Sequence, residues 1–171
     1  MEKTSIDITQ KAPAAPEKNS KNRIKSVLFY TVQWTWGLPV NLIGAIVFWF
    51  CTKIKKRNWQ RFGYAKIVYL PWNSGGLSLG IYIFMKANHK SKKWTYNTRI
   101  HEYGHTWQCL LLGPLYWIFV AIPSAIWCNC FEGFRKKHDV SYYWLYCESW
   151  ANKWGQKFSG MKQKDIQKKV Y

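Results

Sequence analysis

Apolar stretches separated by basic, polar segments organise this chain. The longest, VLFYTVQWTWGLPVNLIGAIVFWFC at 27–51, contains no charged residue. At about 1.5 Å per residue it is long enough to cross a hydrocarbon core of roughly 30 Å, and it predicts a transmembrane helix. Gln33, Gly37, Pro39 and Asn41 weaken such a helix and can kink it. Lys53, Lys55, Lys56, Arg57 and Arg61 then end it. The competing reading is a buried helix of a soluble domain, but 171 residues leave little protein to surround one.

The run IVYLPWNSGGLSLGIYIFM at 67–85 holds Pro71 and the turn cluster Asn73-Ser74-Gly75-Gly76. It predicts two short strands about that turn, a small β-hairpin, with a second membrane helix as the alternative. Residues 95–112 predict a helix capped by Thr95, Asn97 or Thr98. Gly113-Pro114 and Pro123 interrupt the apolar segment at 110–128 and suit a bent or re-entrant course. The stretch 131–140 reads as a basic loop and 141–158 as an aromatic, amphipathic helix. Residues 1–26 read as a disordered basic tail without the apolar core of a signal peptide. The Lys-rich end, 159–171, reads as a tail lying on a bilayer surface. The expected fold class is a mainly α membrane protein: one transmembrane helix over 27–51, then a membrane-associated unit over 52–158. That unit has a second bent or re-entrant apolar segment, the helix at 95–112 and a small β-hairpin.

Composition narrows the partners. Lys and Arg number 26 against 8 Asp and Glu, a formal charge of +18, which points to an anionic partner. Nucleic acid and an anionic lipid surface both fit charge alone. The uncharged 27–51 segment and 12 Trp decide for the bilayer, because indole rings collect at its interface. An integral protein of the cell membrane is expected, with no nucleic-acid partner. The cysteines, Cys51, Cys109, Cys128, Cys130 and Cys147, are odd in number and form no CxxC pair. They read as small apolar residues, not as a disulfide framework or a cysteine zinc cluster.

The chemistry concentrates in His101-Glu102-Tyr103-Gly104-His105, an HExxH motif. On a helix, residues four apart share a face, so both imidazoles can hold one Zn²⁺ at roughly 2.0–2.1 Å. Glu102, beside the first ligand, is placed to act as general base toward the water that zinc acidifies. Gly104 is expected to leave space beside the metal. A catalytic zinc needs a third protein ligand and an open position. Glu132, His138, Asp139 and Glu148 are the downstream candidates. Glu148 is favoured, since a carboxylate among the aromatics of 146–152 is costly without a partner. His138 follows the basic run 135–137, an electropositive place for a cation ligand. Asn152, one turn after Glu148, can accept a hydrogen bond from a ligand imidazole. Cys109 lies one further turn along the face of His101 and His105, where a buried apolar role is the commoner one. Tyr142, Tyr143 and Tyr146 are candidate oxyanion donors, with interface packing as the alternative for each.

HExxH followed by ExxxN resembles the gluzincin branch of zinc metallopeptidases. The wider string HEYGHTWQ…LGPLYW…IPSAIW…YCESWAN is similar to a set of small bacterial integral-membrane proteins over roughly residues 75–155. The resemblance implies His101, His105 and Glu148 as zinc ligands and Glu102 as the base. The gluzincin pattern often has Asp where this chain has Asn152, and an amide orients an imidazole less strongly. By the same analogy, the segment from Gly76 to Phe84 would hold an extended peptide or protein substrate by strand addition, through Gly76, Leu77, Ser78 and Leu79. If 110–128 ran straight across the bilayer, His101 and Glu148 would tend to opposite faces. A shared metal therefore requires that segment to turn back, or the 141–158 helix to re-enter and bring Glu148 to the site, near the membrane boundary and under or beside the hairpin. A membrane zinc peptidase is the leading expectation. The alternative is a non-catalytic membrane protein, a partner or immunity-type factor, with a structural metal or none.

Overall fold

The uncharged run at 27–51 folds as two helices instead of one. In the computed structural model, which describes residues 20–73 and 75–164, helix α1 (Ser20–Thr35) meets helix α2 (Leu38–Trp49) across Trp36-Gly37 at 94°. The break has a chemical cause. Asn41 Nδ2 reaches the carbonyls of Gln33 (2.9 Å) and Gly37 (3.0 Å) and Gln33 Oε1 (2.6 Å). Its Oδ1 accepts from the Ile81 N–H at 2.9 Å, and Gln33 Nε2 donates to the Thr106 carbonyl at 3.0 Å. Both side chains are fully buried. The elbow thus satisfies backbone carbonyls at the end of α1 and knits them to two distant segments. Pro39 sits in the first turn of α2, where a missing N–H costs nothing. A π-helical turn at Phe50–Ile54 follows.

Four strands form one mixed sheet in the order β1-β2-β4-β3: β1 (Trp59–Phe62), β2 (Ala65–Leu70), β3 (Gly76–Leu79) and β4 (Tyr82–Lys86). The expected hairpin about Asn73–Gly76 does not form, and Ser74 itself lies outside the described residues. β2 and β3 flank β4 on opposite sides, β2 in parallel and β3 antiparallel. The turns are two residues long, at Gly63-Tyr64 and Gly80-Ile81, and both glycines have positive φ (57° and 66°). Side chains of β2 and β4 alternate between two buried faces. Ile67, Ile83 and Met85 pack with Ile100 and Tyr103, while Val68, Phe84 and Tyr82 pack with Val40 of α2.

Helix α3 (Lys92–Leu112) starts three residues before the expected helix, because Ser91 and not Thr95, Asn97 or Thr98 caps it: Ser91 Oγ accepts from the Trp94 N–H at 3.1 Å. Beyond it come a 3₁₀ turn at Gly113–Leu115, a π-helical turn at Trp117–Ala121 and helix α4 (Ile122–Asn129). The expected basic loop is instead helix α5 (Glu132–His138), set at 67° to the preceding helical stretch. The sharp turn therefore falls at residues 130–131, and Pro114 and Pro123 lie at helix starts, where proline fits. Tyr142–Trp144 form a 3₁₀ turn before helix α6 (Tyr146–Ser159) packs along α3.

Of the expected tail at 1–26, residues 1–19 lie outside the described residues and 20–26 begin α1. Of the tail at 159–171, the described part folds back on the protein. Tyr96 Oη donates to the Lys162 carbonyl (3.2 Å), and Gln163 Nε2 donates to Asn152 Oδ1 (2.8 Å).

Among the described residues no single helix is long and apolar enough to cross a membrane. Two bent pairs reach that length and apolarity together, 22–35 with 38–54 and 117–129 with 132–138. Large apolar side chains stay exposed on both, including Ile46, Trp49 and Phe50 on the first and Ile118, Phe119 and Ile122 on the second.

Candidate metal centre

The close approach of α3 and α6 builds the site. A Cβ added at Gly104 would lie 1.9 Å from the Ala151 carbonyl oxygen, and one at Gly155 would lie 1.9 Å from that of Ile100. Each glycine leaves room for the backbone of the opposite helix. Gly104 thus makes space for α6, not for a metal as its position in the motif suggests. Glu148 and Asn152 lie on the α6 face that this approach presses against His101 and His105.

Three ligand atoms converge. Glu148 Oε2 is 2.9 Å from His101 Nε2 and 3.6 Å from His105 Nε2, and the two Nε2 atoms are 3.2 Å apart. All three residues are buried. Bonds of about 2.0–2.1 Å at tetrahedral angles set ligand atoms roughly 3.3 Å apart, so these edges match one Zn²⁺. Partners on the far side fix both imidazoles. His101 Nδ1–H donates to Asn152 Oδ1 (2.8 Å), and His105 Nδ1–H donates to Gln108 Oε1 (2.7 Å). Gln108 is itself held, its Nε2 donating to the Cys147 carbonyl at 2.8 Å. With Nδ1 carrying the proton in each ring, both Nε2 lone pairs face the carboxylate. Glu148 Oε2 has no well-oriented hydrogen bond. Three buried acceptors aimed at one point repel unless a cation or proton joins them. The proton affinities express the same demand. Burial disfavours a charged His105, yet the Glu148 carboxylate, and secondarily Glu102, raise it to about 9. Burial would likewise raise Glu148, but the two histidines hold it well below the usual carboxylate range.

Glu102 stands beside this triangle on a different set of contacts. Ser78 Oγ lies 2.8 Å from both its Oε2 and its backbone carbonyl. Gly76 presents a bare Cα to the carboxylate, since a Cβ there would fall 2.2 Å from Oε1. A cavity of about 550 Å³ reaches Glu102 and His105 and is lined further by Gly76, Ser78, Tyr142 and Arg135. Comparison with protein families, curated proteins and solved structures finds no match to this chain. The geometry must therefore speak for the site alone.

Of the residues singled out for substrate, Gly76, Leu77 and Ser78 line the cavity, whereas Leu79 turns into the core at 5% exposure. β3 is one of the sheet's two edge strands, and the Ser78 carbonyl accepts from Tyr116 Oη at 3.2 Å. Cys109 is fully buried in the apolar core, its thiol pushed up to about 12 by burial, and takes no part in the triangle. His138 packs on Phe134 (ring centroids 4.5 Å), Glu132 pairs with Lys136 at 2.6 Å, and Asp139 ends α5 in the left-handed region. None joins the cluster of His101, His105 and Glu148. Tyr142 lines the cavity, Tyr143 packs tilted against the His101 ring with centroids 5.3 Å apart, and Tyr146 turns away to bond the Phe119 carbonyl at 2.5 Å. Burial raises the Tyr142 hydroxyl well above its ordinary value, so it stays a donor at neutral pH. Sequence reasoning missed Gln108, Tyr116 and Arg135. Gln108, three residues after His105 inside an apolar run, carried a usable signal, a polar residue on the ligand face. Arg135, within a basic run, carried none.

Proposed function

We propose that this chain is a membrane-associated, zinc-dependent peptidase that hydrolyses a peptide or amide bond. One observation carries the reading: two imidazoles and a buried carboxylate meet at zinc-ligand spacing, with a separate carboxylate, Glu102, on the same cavity. A zinc ion held by His101, His105 and Glu148 would polarise a carbonyl and acidify a water molecule. Glu102, pinned by Ser78 and Gly76, accepts the water proton at its carboxylate and returns it to the leaving nitrogen. Tyr142, which lines the cavity and keeps its hydroxyl protonated, would steady charge on the carbonyl oxygen. Gly76, Leu77 and Ser78 align an extended substrate along the edge of β3. A cavity on one side of the cluster supports an open, catalytic site over a closed structural one.

Membrane association rests on the exposed apolar surfaces of the two bent helix pairs and on the surplus of basic residues, which suit an anionic lipid face. The test uses the full chain purified in detergent. One zinc per chain is expected, lost on His101→Ala or His105→Ala. Glu102→Gln should keep the zinc and abolish hydrolysis of a peptide mixture; undiminished turnover in that variant rejects the role given to Glu102. Alkaline carbonate extraction should leave the protein in the membrane pellet, and release into the supernatant rejects the membrane reading.

A further inference from the structure

Arg135 is a charged side chain only 3% exposed, yet none of the ion pairs among the described residues includes it. Its head is clamped. Nη1 donates to the Trp127 carbonyl and Nη2 to that of Cys128 (3.4 Å), at the end of α4. The rings of Trp127 and Tyr142 lie over the guanidinium, each with its centroid 5.4 Å from Cζ. Nε–H has no partner. Glu132, three residues earlier on the cavity wall, is exposed and taken by Lys136. A guanidinium has five donors in one rigid plane, so this one keeps donors to spare beside the cavity that reaches Glu102 and His105. Burying an unpaired cation is costly, and helix-end carbonyls offset only part of that cost. The remaining demand is for an anion.

We propose that Arg135 is the substrate-anchoring residue of this cavity and binds a carboxylate, the free C-terminus of a peptide. The inference rests on the peptidase reading and narrows it to cleavage near a chain end or within short peptides. A carboxylate is favoured because its two oxygens lie in one plane, matching the fork that the two aromatic rings hold flat.

The experiment separates this claim from the reading beneath it. Zinc-loaded Glu102→Gln protein in detergent is incubated with N-acetylated tetrapeptide mixtures, as free acids, as C-terminal amides and as phosphoserine-containing amides. Retained peptides are counted by mass spectrometry. Free acids should be retained about 10-fold or more over amides. Adding Arg135→Gln should bring the ratio to about one, and Arg135→Lys to an intermediate value, with zinc content unchanged. Equal retention of acids and amides by protein that keeps Arg135 overturns the proposal, whether or not either variant folds. Preference for a phosphorylated amide over the free acid overturns the choice of a carboxylate. Retention of neither class removes the peptidase reading and the inference together.

Discussion

Adding one methyl group at Gly104 should cost the proposed centre its zinc without changing any ligand residue. The Cβ would stand 1.9 Å from the Ala151 carbonyl oxygen, against a floor of 3.0 Å for real Cβ contacts. The obstacle is backbone, so rotamer changes cannot relieve it, and α3 and α6 must separate locally by about 1 Å. Gly104 immediately precedes His105, and Ala151 lies between Glu148 and Asn152. The separation therefore opens the very edges, 2.9 and 3.6 Å, that set the ligand triangle. Metal sites tolerate roughly 0.2 Å in bond length, so a shift of this size removes Glu148 from the coordination sphere. Gly104→Ala should lower zinc affinity by about 100-fold or more and stability by about 1–3 kcal/mol. Competition with a chromophoric chelator measures the first, and thermal unfolding of chelator-treated protein in detergent measures the second. Gly155→Ala, equally tight against the Ile100 carbonyl, should destabilise similarly. Gly133→Ala, with nothing within 4 Å, is the neutral control. Zinc binding by Gly104→Ala at the parent affinity would refute the idea that helix spacing sets the ligand geometry.

Asn152→Ala should weaken zinc binding about 10–100-fold by freeing His101 Nδ1, and Asn152→Asp should restore or exceed the parent affinity; equal affinity in all three proteins would show that the bond leaves the imidazole indifferent. Tyr142→Phe should reduce kcat/KM by about 100-fold at full zinc occupancy, measured on whichever peptide the protein cleaves, and unchanged turnover would assign the hydroxyl to packing with Ser124 alone. Asn41→Leu strands the Ile81 N–H and the Gln33 amide in the core, at about 3 kcal/mol seen in denaturant or thermal unfolding, since each buried orphan costs about 1–3 kcal/mol.

What was legible follows from range. Spacing four residues apart on one helix is local information, so the placing of His101 and His105 on one face could be read directly. Glu148 was reachable by elimination, because an acid among aromatics demands a partner. The strand pairing was not legible. Gly80-Ile81 interrupts an apolar run with no polar residue, so GLSLGIYIFM reads as one strand, and Asn73-Ser74-Gly75-Gly76 outbids it as a turn signal. Gly80 is required twice over, by the positive φ of its two-residue turn and by Asn41, whose amide occupies the space of any Cβ there, a contact from 39 residues away. Helix α5 was hidden for a simpler reason: a helix with little apolar face looks like a charged loop.

Gln33, Gly37 and Asn41 illustrate how one set of residues supports opposite inferences. Within an uncharged 25-residue run they register as tolerable blemishes in a spanning helix. In three dimensions they are the reason that run does not continue. Each amide side chain satisfies groups from two or more segments: Asn41 links the end of α1 to the β3–β4 turn, and Gln33 links α1 to α3 one residue past His105. Apolar substitutes at both positions would leave the elbow carbonyls bare and restore the pattern of a straight helix. The 94° bend is thus a joint between the apolar surface and the candidate metal centre, since the Thr106 carbonyl it grips belongs to the helix that carries both histidines. Under the proposed membrane association, an element anchored this way would hold the cavity at a fixed depth relative to its own apolar side chains, an arrangement that would suit substrates presented close to the bilayer surface.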